Sequence, residues 1–219
     1  MVDLPDSVAG TAFADYDNSS FSFDADRLAH FAGRSCYQAW DMPREETAND
    51  VGYLDNIIKQ GHFSVLEHAS ATFYIEGISR NLTHELIRHR HLSYSELSQR
   101  FVDVSEMDFI TPPAVIDGFP HKLKGAHMAL DDYEYAVSQL TAQGLTGKKL
   151  REATRAYLPS GMETKIVVTG NHRAWRDMLQ KRYSVHADAE ICELSSILLI
   201  KLRELAPATY QDFPKEPFQ

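Results

Sequence analysis

The sequence predicts an α+β fold, a single domain with a central, mostly antiparallel sheet flanked by helices, and three observations lead there. Ala71, Phe73 and Ile75 alternate with Thr72, Tyr74 and Glu76, the period of a half-buried strand. Ile166-Val167-Val168 is a β-branched run that marks a second strand over Lys165–Thr169. Around these runs, apolar residues recur at helical spacing in several separate segments. No internal repeat, low-complexity tract or linker divides the chain.

Taken in order, the first 22 residues are weakly patterned and read as an extended lead-in. A helix is expected from Asp24 to about Trp40, with Leu28, Phe31, Ala32, Cys36 and Tyr37 facing the core and Pro43 marking the break. A second runs from about Thr47 to Gln60 on Val51, Leu54, Ile57 and Ile58, with Gly61 as its stop. His62, Ser64 and His68 lie in a connector whose spacing fits no common zinc pattern; a hydrogen-bonding loop is expected, and no metal. The strand at Ala71–Glu76 leads into a helix rich in Arg and His. Phe101–Ile110 reads as extended, and Pro112-Pro113 and Gly118–Pro120 as surface loop. Helices follow over Lys124–Ala142 and Lys148–Leu158. After the second strand, Asn171 is a good N-cap for the next helix. A last helix over Ala187–Leu205 buries Ile191, Leu194, Ile197, Leu198 and Leu202 and stops before Pro207. Cys36 and Cys192 both fall in or beside apolar stripes, which predicts packing roles.

Charge narrows the function classes. The chain of 219 residues is 43% hydrophobic and 24% charged with a formal net charge of −9, values of a soluble globular protein and poor ones for a nucleic-acid coat. Residues 1–26 hold six aspartates and no Lys or Arg, whereas basic residues gather at 80–100, 148–155 and 165–182. Three separated basic segments in an acidic chain predict a focused pocket for a small anion. No apolar run approaches a membrane span and no basic-then-apolar leader is visible, so the cytoplasm is the expected compartment.

Ser79–Arg100 concentrates the chemistry, with four arginines, three histidines and four serines. On a helical wheel Asn81, His84, Glu85, Arg88 and His91 share one face, and Leu82 and Leu86 define the other. Arg88-His89-Arg90 would then spread over about 200° of the helix. Guanidinium forks match phosphate and carboxyl oxygens in a bidentate way, so the stretch reads as a polyanion or nucleotide site, or else as an exposed charged helix end. Lys148, Arg151 and Arg155 form a basic stripe that, taken alone, is a solvated face. Arg182 falls in the apolar stripe of Trp175, Met178 and Leu179; it either meets an anion or snorkels at the helix C-terminus. No Gly-x-Gly-x-x-Gly or Walker loop is present.

Arg88-His89-Arg90, seven residues and then Ser98 resembles the defining motif of the flavin-dependent thymidylate synthases. The resemblance extends through FAGRSCYQAW, GHFSVLEHAS, ISRNLTHELIRHRHLSYSELSQRF, Arg155–Pro159 and ETKIVVTGNHRAWRDMLQKRYSVHADAEI, covering most of the chain from about Leu28 to Phe213. It implies reductive methylation of dUMP to dTMP, with methylenetetrahydrofolate as one-carbon donor, NADPH as reductant and FAD as cofactor. By the resemblance, Arg88, His89, Arg90, Glu96, Asn171, His172, Arg173 and Asp177 line the flavin site, with Ser64 and His62 donated by a neighbouring chain. Glu85, Leu86, Ile87, Arg88, Glu96 and Leu97 would meet dUMP, together with Ser98, Gln99, Arg100 and Arg155. Arg182 matches the arginine that stabilises negative charge on the pyrimidine ring. Glu85 and Asp177 stand where many members carry Gln and Asn, which places carboxylates beside anionic ligands.

The resemblance also implies a homotetramer with sites shared between chains, and geometry supports it. A domain of this size without a dinucleotide-binding turn encloses a cofactor as large as FAD most easily with walls from several subunits. The rival readings are a metal-dependent nucleotide phosphohydrolase and an RNA-binding module using the basic helices. Neither calls for flavin.

Overall fold

The computed structural model describes residues 24–39, 44–105, 107–115 and 124–219. The expected lead-in over the first 22 residues, the helix break at Trp40–Pro43 and the Gly118–Pro120 loop lie outside the described residues. The described chain is α+β, with seven α-helices and one three-stranded antiparallel sheet. In order these are α1 (Asp24–Tyr37), α2 (Asp50–Gln60), β1 (Ser70–Ser79), α3 (Arg80–Leu86), β2 (Ser93–Glu96), α4 (Lys124–Ala142), α5 (Gly147–Thr154), β3 (Glu163–Asn171), α6 (His172–Arg182) and α7 (Ala189–Leu205). The strand order is β1-β3-β2. Short 3₁₀ turns cover Glu45–Thr47, Phe63–Glu67 and Arg155–Tyr157. The chain forms two compact units: described residues up to Ala71 with Thr169–Ala187 and Cys192–Gln219, and Thr72–Val168 with Asp188–Ile191.

In the first unit α1 departs from the expected face. Asp26, Ala29, His30 and Arg34 are buried, Leu28, Phe31 and Ala32 are half-buried, and Cys36 and Tyr37 are exposed. Cys36 is therefore not a packing residue. The cause is a polar network that hydrophobic periodicity does not register. The Asp26 carboxylate accepts from the backbone N–H of Ala208 (2.7 Å) and Thr209 (3.0 Å) and from Thr209 Oγ1 (2.5 Å). Arg34 Nε donates to His30 Nε2 at 3.1 Å, and His30 Nδ1 lies 2.7 Å from Asp50 Oδ1. Arginine only donates, so Nδ1 carries the imidazole proton and donates a hydrogen bond to Asp50 Oδ1. Tyr53 stacks on His30 with ring centroids 4.1 Å apart, and a Cβ at Gly33 would lie 2.1 Å from the Tyr53 hydroxyl, so that position has room only for glycine.

α2 starts later than expected because Glu45–Thr47 is a separate turn and Asn49 caps the helix, accepting from Gly52 N at 2.8 Å. It ends where Gly61 takes φ 71°, as a C′ glycine should. Tyr53, Leu54 and Ile57 join Ala29, Val65, Leu66 and Ala208 in one hydrophobic cluster. Asn171 caps α6 through Ala174 N at 2.9 Å, as the sequence predicts. Trp175, Met178 and Leu179 are buried, and Trp175 Nε1 donates to Ala71 O at 3.1 Å. The guanidinium enclosed by this stripe belongs to Arg176, not Arg182: Arg176 is buried and Arg182, the last residue of α6, is half-buried. Arg176 binds both oxygens of Asp212 at 2.7 Å, donates to Thr209 O, and stands over the rings of Phe63 and Phe213.

α7 begins two residues later than expected. Its buried seam runs through Ile191, Leu194, Leu198, Leu199 and Leu202, and Ile197 is 54% exposed. That residue falls about 120° round the helix from the seam, outside the buried arc. Cys192 is half-buried.

β1 buries Ala71 and Ile75, half-buries Phe73 and exposes Thr72, Tyr74 and Glu76, the expected alternation, which ends at Gly77, after which Ile78 and Ser79 are both buried. α4 has the bounds its periodicity predicts. The expected helix over Lys148–Leu158 is shorter, α5 giving way to 3₁₀ at Arg155. The described residues of Phe101–Ile110 form no regular strand: Phe101 and Ser105 lie in turns, and Phe109 makes an isolated antiparallel bridge to Met162. β2 arises instead from the Ser-rich run Ser93–Glu96. Pro112 and Pro113 are exposed, as a surface loop requires.

Removing Asp212 should isolate a buried charge. Asp212→Ala is expected to lower stability by about 3 kcal/mol, the low end for loss of one partner of a buried pair because Asp212 keeps some solvent. Urea unfolding followed by tryptophan fluorescence measures it, and an unchanged midpoint would contradict the role given to this pair.

Candidate functional site

The second unit presents one group of candidate residues. α3 ends at Leu86, with Ile87 as its C-cap, so Arg88-His89-Arg90 lies in the turn beyond the helix rather than on its faces. The expected spread of the triplet around a helix is thereby corrected. The helix stops because the chain folds back at once into β2: His89 N donates to Leu86 O (3.1 Å) and Leu92 N to His89 O (3.0 Å). Tyr94 Oη lies 2.7 Å from Leu86 O and 2.8 Å from His89 O, one hydroxyl proton serving two carbonyls. Burial pushes the Tyr94 hydroxyl up to about 12, so it remains a donor. The turn is therefore rigid, with His89 buried and Arg88 and Arg90 exposed. Arg88 is 71% exposed at its side chain and its nearest approach to Glu85 is 3.9 Å.

Glu85 is half-buried, Leu86 fully buried and Ile87 exposed, so side-chain contact by Leu86 with a ligand is precluded without rearrangement. Beyond β2, Leu97 N donates to Lys165 O at 2.9 Å. Ser98, Gln99 and Arg100 are half-buried, and Phe101 N and Val102 N both donate to Ser98 O, closing a tight turn. Arg100 lies 3.9 Å from Glu152, and Arg155 is exposed at the end of α5. Within this unit Arg100 and Arg155 thus belong to neighbouring segments, since Glu152 and Arg155 are consecutive turns of the same helical stretch.

Glu96 is the most constrained member. Its Oε1 lies 3.2 Å from Arg80 Nη1, 3.2 Å from Thr83 Oγ1 and 3.1 Å from Thr164 Oγ1. Sequence reasoning missed all three partners. Thr83 and Thr164 are 13 and 68 positions away from Glu96, beyond any local pattern.

The first unit presents the other group. Ser64 is exposed in the Phe63–Glu67 turn, and Glu67 of the same turn forms an ion pair with Arg173. Asn171 uses its side-chain oxygen as the α6 cap. Asp177 pairs with Lys181 one turn on, at 2.7 Å. His172 is 3% exposed, its backbone N donates to Ala69 O, and its Nδ1 lies 2.8 Å from Tyr210 Oη. Burial holds this imidazole down to about 4, so it is neutral near pH 7.

A match to the family model described as "Thymidylate synthase complementing protein" (Thy1) covers residues 20–208. The chain is 48% identical over 204 residues to a probable flavin-dependent thymidylate synthase of Mycobacterium phage L5, covering 90% of this chain and 84% of that protein. It is 47% identical over 219 residues to the flavin-dependent thymidylate synthase of Mycobacteroides abscessus, covering 94% and 88%. The same figures hold for the flavin-dependent thymidylate synthase of Mycobacterium tuberculosis. The chain belongs to the Thy1 family.

Two buried groups give the first unit opposing pH responses. His172 binds its proton only near 4 when folded but at the ordinary imidazole value when unfolded, so acidification between about 6.5 and 4 favours unfolding. Desolvation raises Asp26 to about 6, so its contribution is present below the ordinary carboxylate value and is lost as pH rises through 6. Relative to the parent, His172→Phe should gain stability on going from pH 7 to 4, and Asp26→Asn should lose it. Denaturation midpoints across that range test both slopes; parallel pH profiles for all three proteins would overturn the assignments.

Proposed function

We propose that this chain catalyses reductive methylation of dUMP to dTMP, with methylenetetrahydrofolate as one-carbon donor, NADPH as reductant and FAD as bound cofactor. The observation that carries it is the rigid Arg88-His89-Arg90 turn followed by the Ser98–Arg100 turn, in a chain of the Thy1 family. When bound and reduced by NADPH, the flavin would supply the hydride that completes the methyl group. The residues present fit it: exposed Arg88, whose ion pair with Glu85 among the described residues is a long 3.9 Å, gives up little on turning to a diphosphate. Arg90 extends from the same turn, and His89, packed beneath, keeps both arginines apart and fixed. Ser64, Glu96, Asn171, Arg173 and Asp177 complete the flavin residues, with Asn171 and His172 contributing mainly through the α6 N-terminus they shape.

Ser98 and Arg100 bind the dUMP phosphate by hydroxyl and guanidinium donation, supported by Arg155; Ser98 is a binding group and not a nucleophile. Glu85, Ile87, Glu96, Leu97 and Gln99 flank the nucleotide, and Leu86 serves through its backbone. Arg182 stabilises negative charge on the pyrimidine ring. The active unit is a cytoplasmic homotetramer whose sites are shared between chains, Ser64, His62 and Arg155 reaching sites built mainly by neighbouring chains. No helix among the described residues is long and apolar enough to cross a membrane, and no nucleic-acid or membrane partner is assigned.

Purified protein should be yellow, and NADPH should bleach its flavin absorption under anaerobic conditions. Arg182→Ala should retain flavin while dTMP formation falls by orders of magnitude. A colourless protein active on phosphate esters would instead support the phosphohydrolase reading.

Shared sites also predict complementation. Inactive Arg155→Ala and Arg182→Ala proteins, dissociated and reassembled together, should regain partial activity through hybrid sites carrying both arginines. A fully active monomer in sedimentation at assay concentration would refute the shared-site assembly.

A further inference from the structure

The geometry points to Arg80 as the positioning residue of the nucleotide segment, acting through Glu96; this rests on the reading of residues 96–100 as ligand-binding. Arg80 Nη1 reaches two successive residues at once, Glu96 Oε1 at 3.2 Å and the carbonyl oxygen of Leu97 at 3.3 Å. Thr164 Oγ1 on β3 donates to the same Oε1, and the Thr83 hydroxyl divides its proton between that oxygen and Arg80 O. Arg80 is itself fixed: its backbone N donates to Met162 O at 3.0 Å and Asn81 N to Ser160 O at 2.8 Å. Ser79, the α3 cap, accepts from Leu82 N at 3.0 Å and donates to Glu190 through both its backbone N and its hydroxyl, at 2.7 and 2.6 Å.

Oε1 of Glu96 is thus fully engaged, while Oε2 makes no hydrogen bond among the described residues. An ionised carboxylate can only accept. Oε2 therefore selects a ligand N–H, and the fitting chemistry is an imide N–H, which the uracil base and the flavin ring share. Arg80 sets the direction of that acceptor and the path of the chain entering Ser98–Arg100. It touches no ligand in this scheme.

The test uses FAD-loaded protein and compares Arg80→Met, Arg80→Lys and Glu96→Gln, singly and with Arg80→Met and Glu96→Gln combined. Arg80→Met should weaken dUMP binding about tenfold by titration calorimetry, the loss of one charge-assisted contact. Arg80→Lys should restore most of it. The double variant should bind no more weakly than Glu96→Gln alone, because Arg80 acts through Glu96. Loss of FAD occupancy with unchanged dUMP affinity would identify the flavin as the imide and keep the positioning role. Additive losses in the double variant, or unchanged affinity for both ligands, would overturn it. Should Arg80→Met fail to fold, Thr164→Val removes one donor to the same oxygen and should weaken binding about threefold; no effect there is equally adverse. Ser98→Ala and Arg100→Ala separate the two ideas. If they bind dUMP normally, the site reading fails; if they weaken it while Arg80→Met does not, only the positioning role fails.

Discussion

A guanidinium buried to 2% exposure governs the first unit. Moving such a charge out of water costs several kcal/mol unless its donors are met in good geometry; both terminal nitrogens of Arg176 are met, by the two oxygens of Asp212 and the carbonyl of Thr209, while Nε is buried without a hydrogen-bond partner among the described residues. These partners lie 33 and 36 positions away, so the pairing ties α6 to the C-terminal segment. Phe63 and Phe213 place aromatic faces against the same guanidinium. The register of α6 follows from this one side chain, and Asn171, His172, Arg173, Asp177 and Arg182 take their directions from α6. Phe63 opens the turn that carries Ser64, so that residue is held by the same centre.

The second unit solves a related problem with less burial. Glu96 is held in place because an arginine and two threonine hydroxyls surround one of its oxygens. The exposed guanidiniums of Arg88 and Arg90 are the complement, mounted on a turn whose carbonyls are pinned by Tyr94. A chain of net charge −9 can therefore present local positive sites for anionic ligands. Rigidity here comes from backbone carbonyls and caps, which leaves Arg88 and Arg90 exposed.

Legibility from sequence followed the range of the interactions involved. Gly61 as a helix stop, Asn171 as a cap, the alternation in β1 and the limits of α4 depend on residues within a few positions of each other, and all were readable. The Arg88-His89-Arg90 and Ser98 spacing and its neighbouring segments likewise established the family from residue types alone. The polar face of α1 was not readable, because Asp26 finds Thr209 across 183 positions and His30 finds Asp50 across 20. The same holds for Arg176 as the buried cation of α6, and for the end of α3 at Leu86, which depends on a hydroxyl eight residues ahead. By itself, then, the sequence determined the α+β class, the local caps and periods, and the family, since each is encoded in neighbouring side chains. Only the tertiary structure decided which charges are buried, where the Arg-His-Arg turn leaves its helix, and what holds Glu96, since partners distant in sequence meet only once the chain has folded.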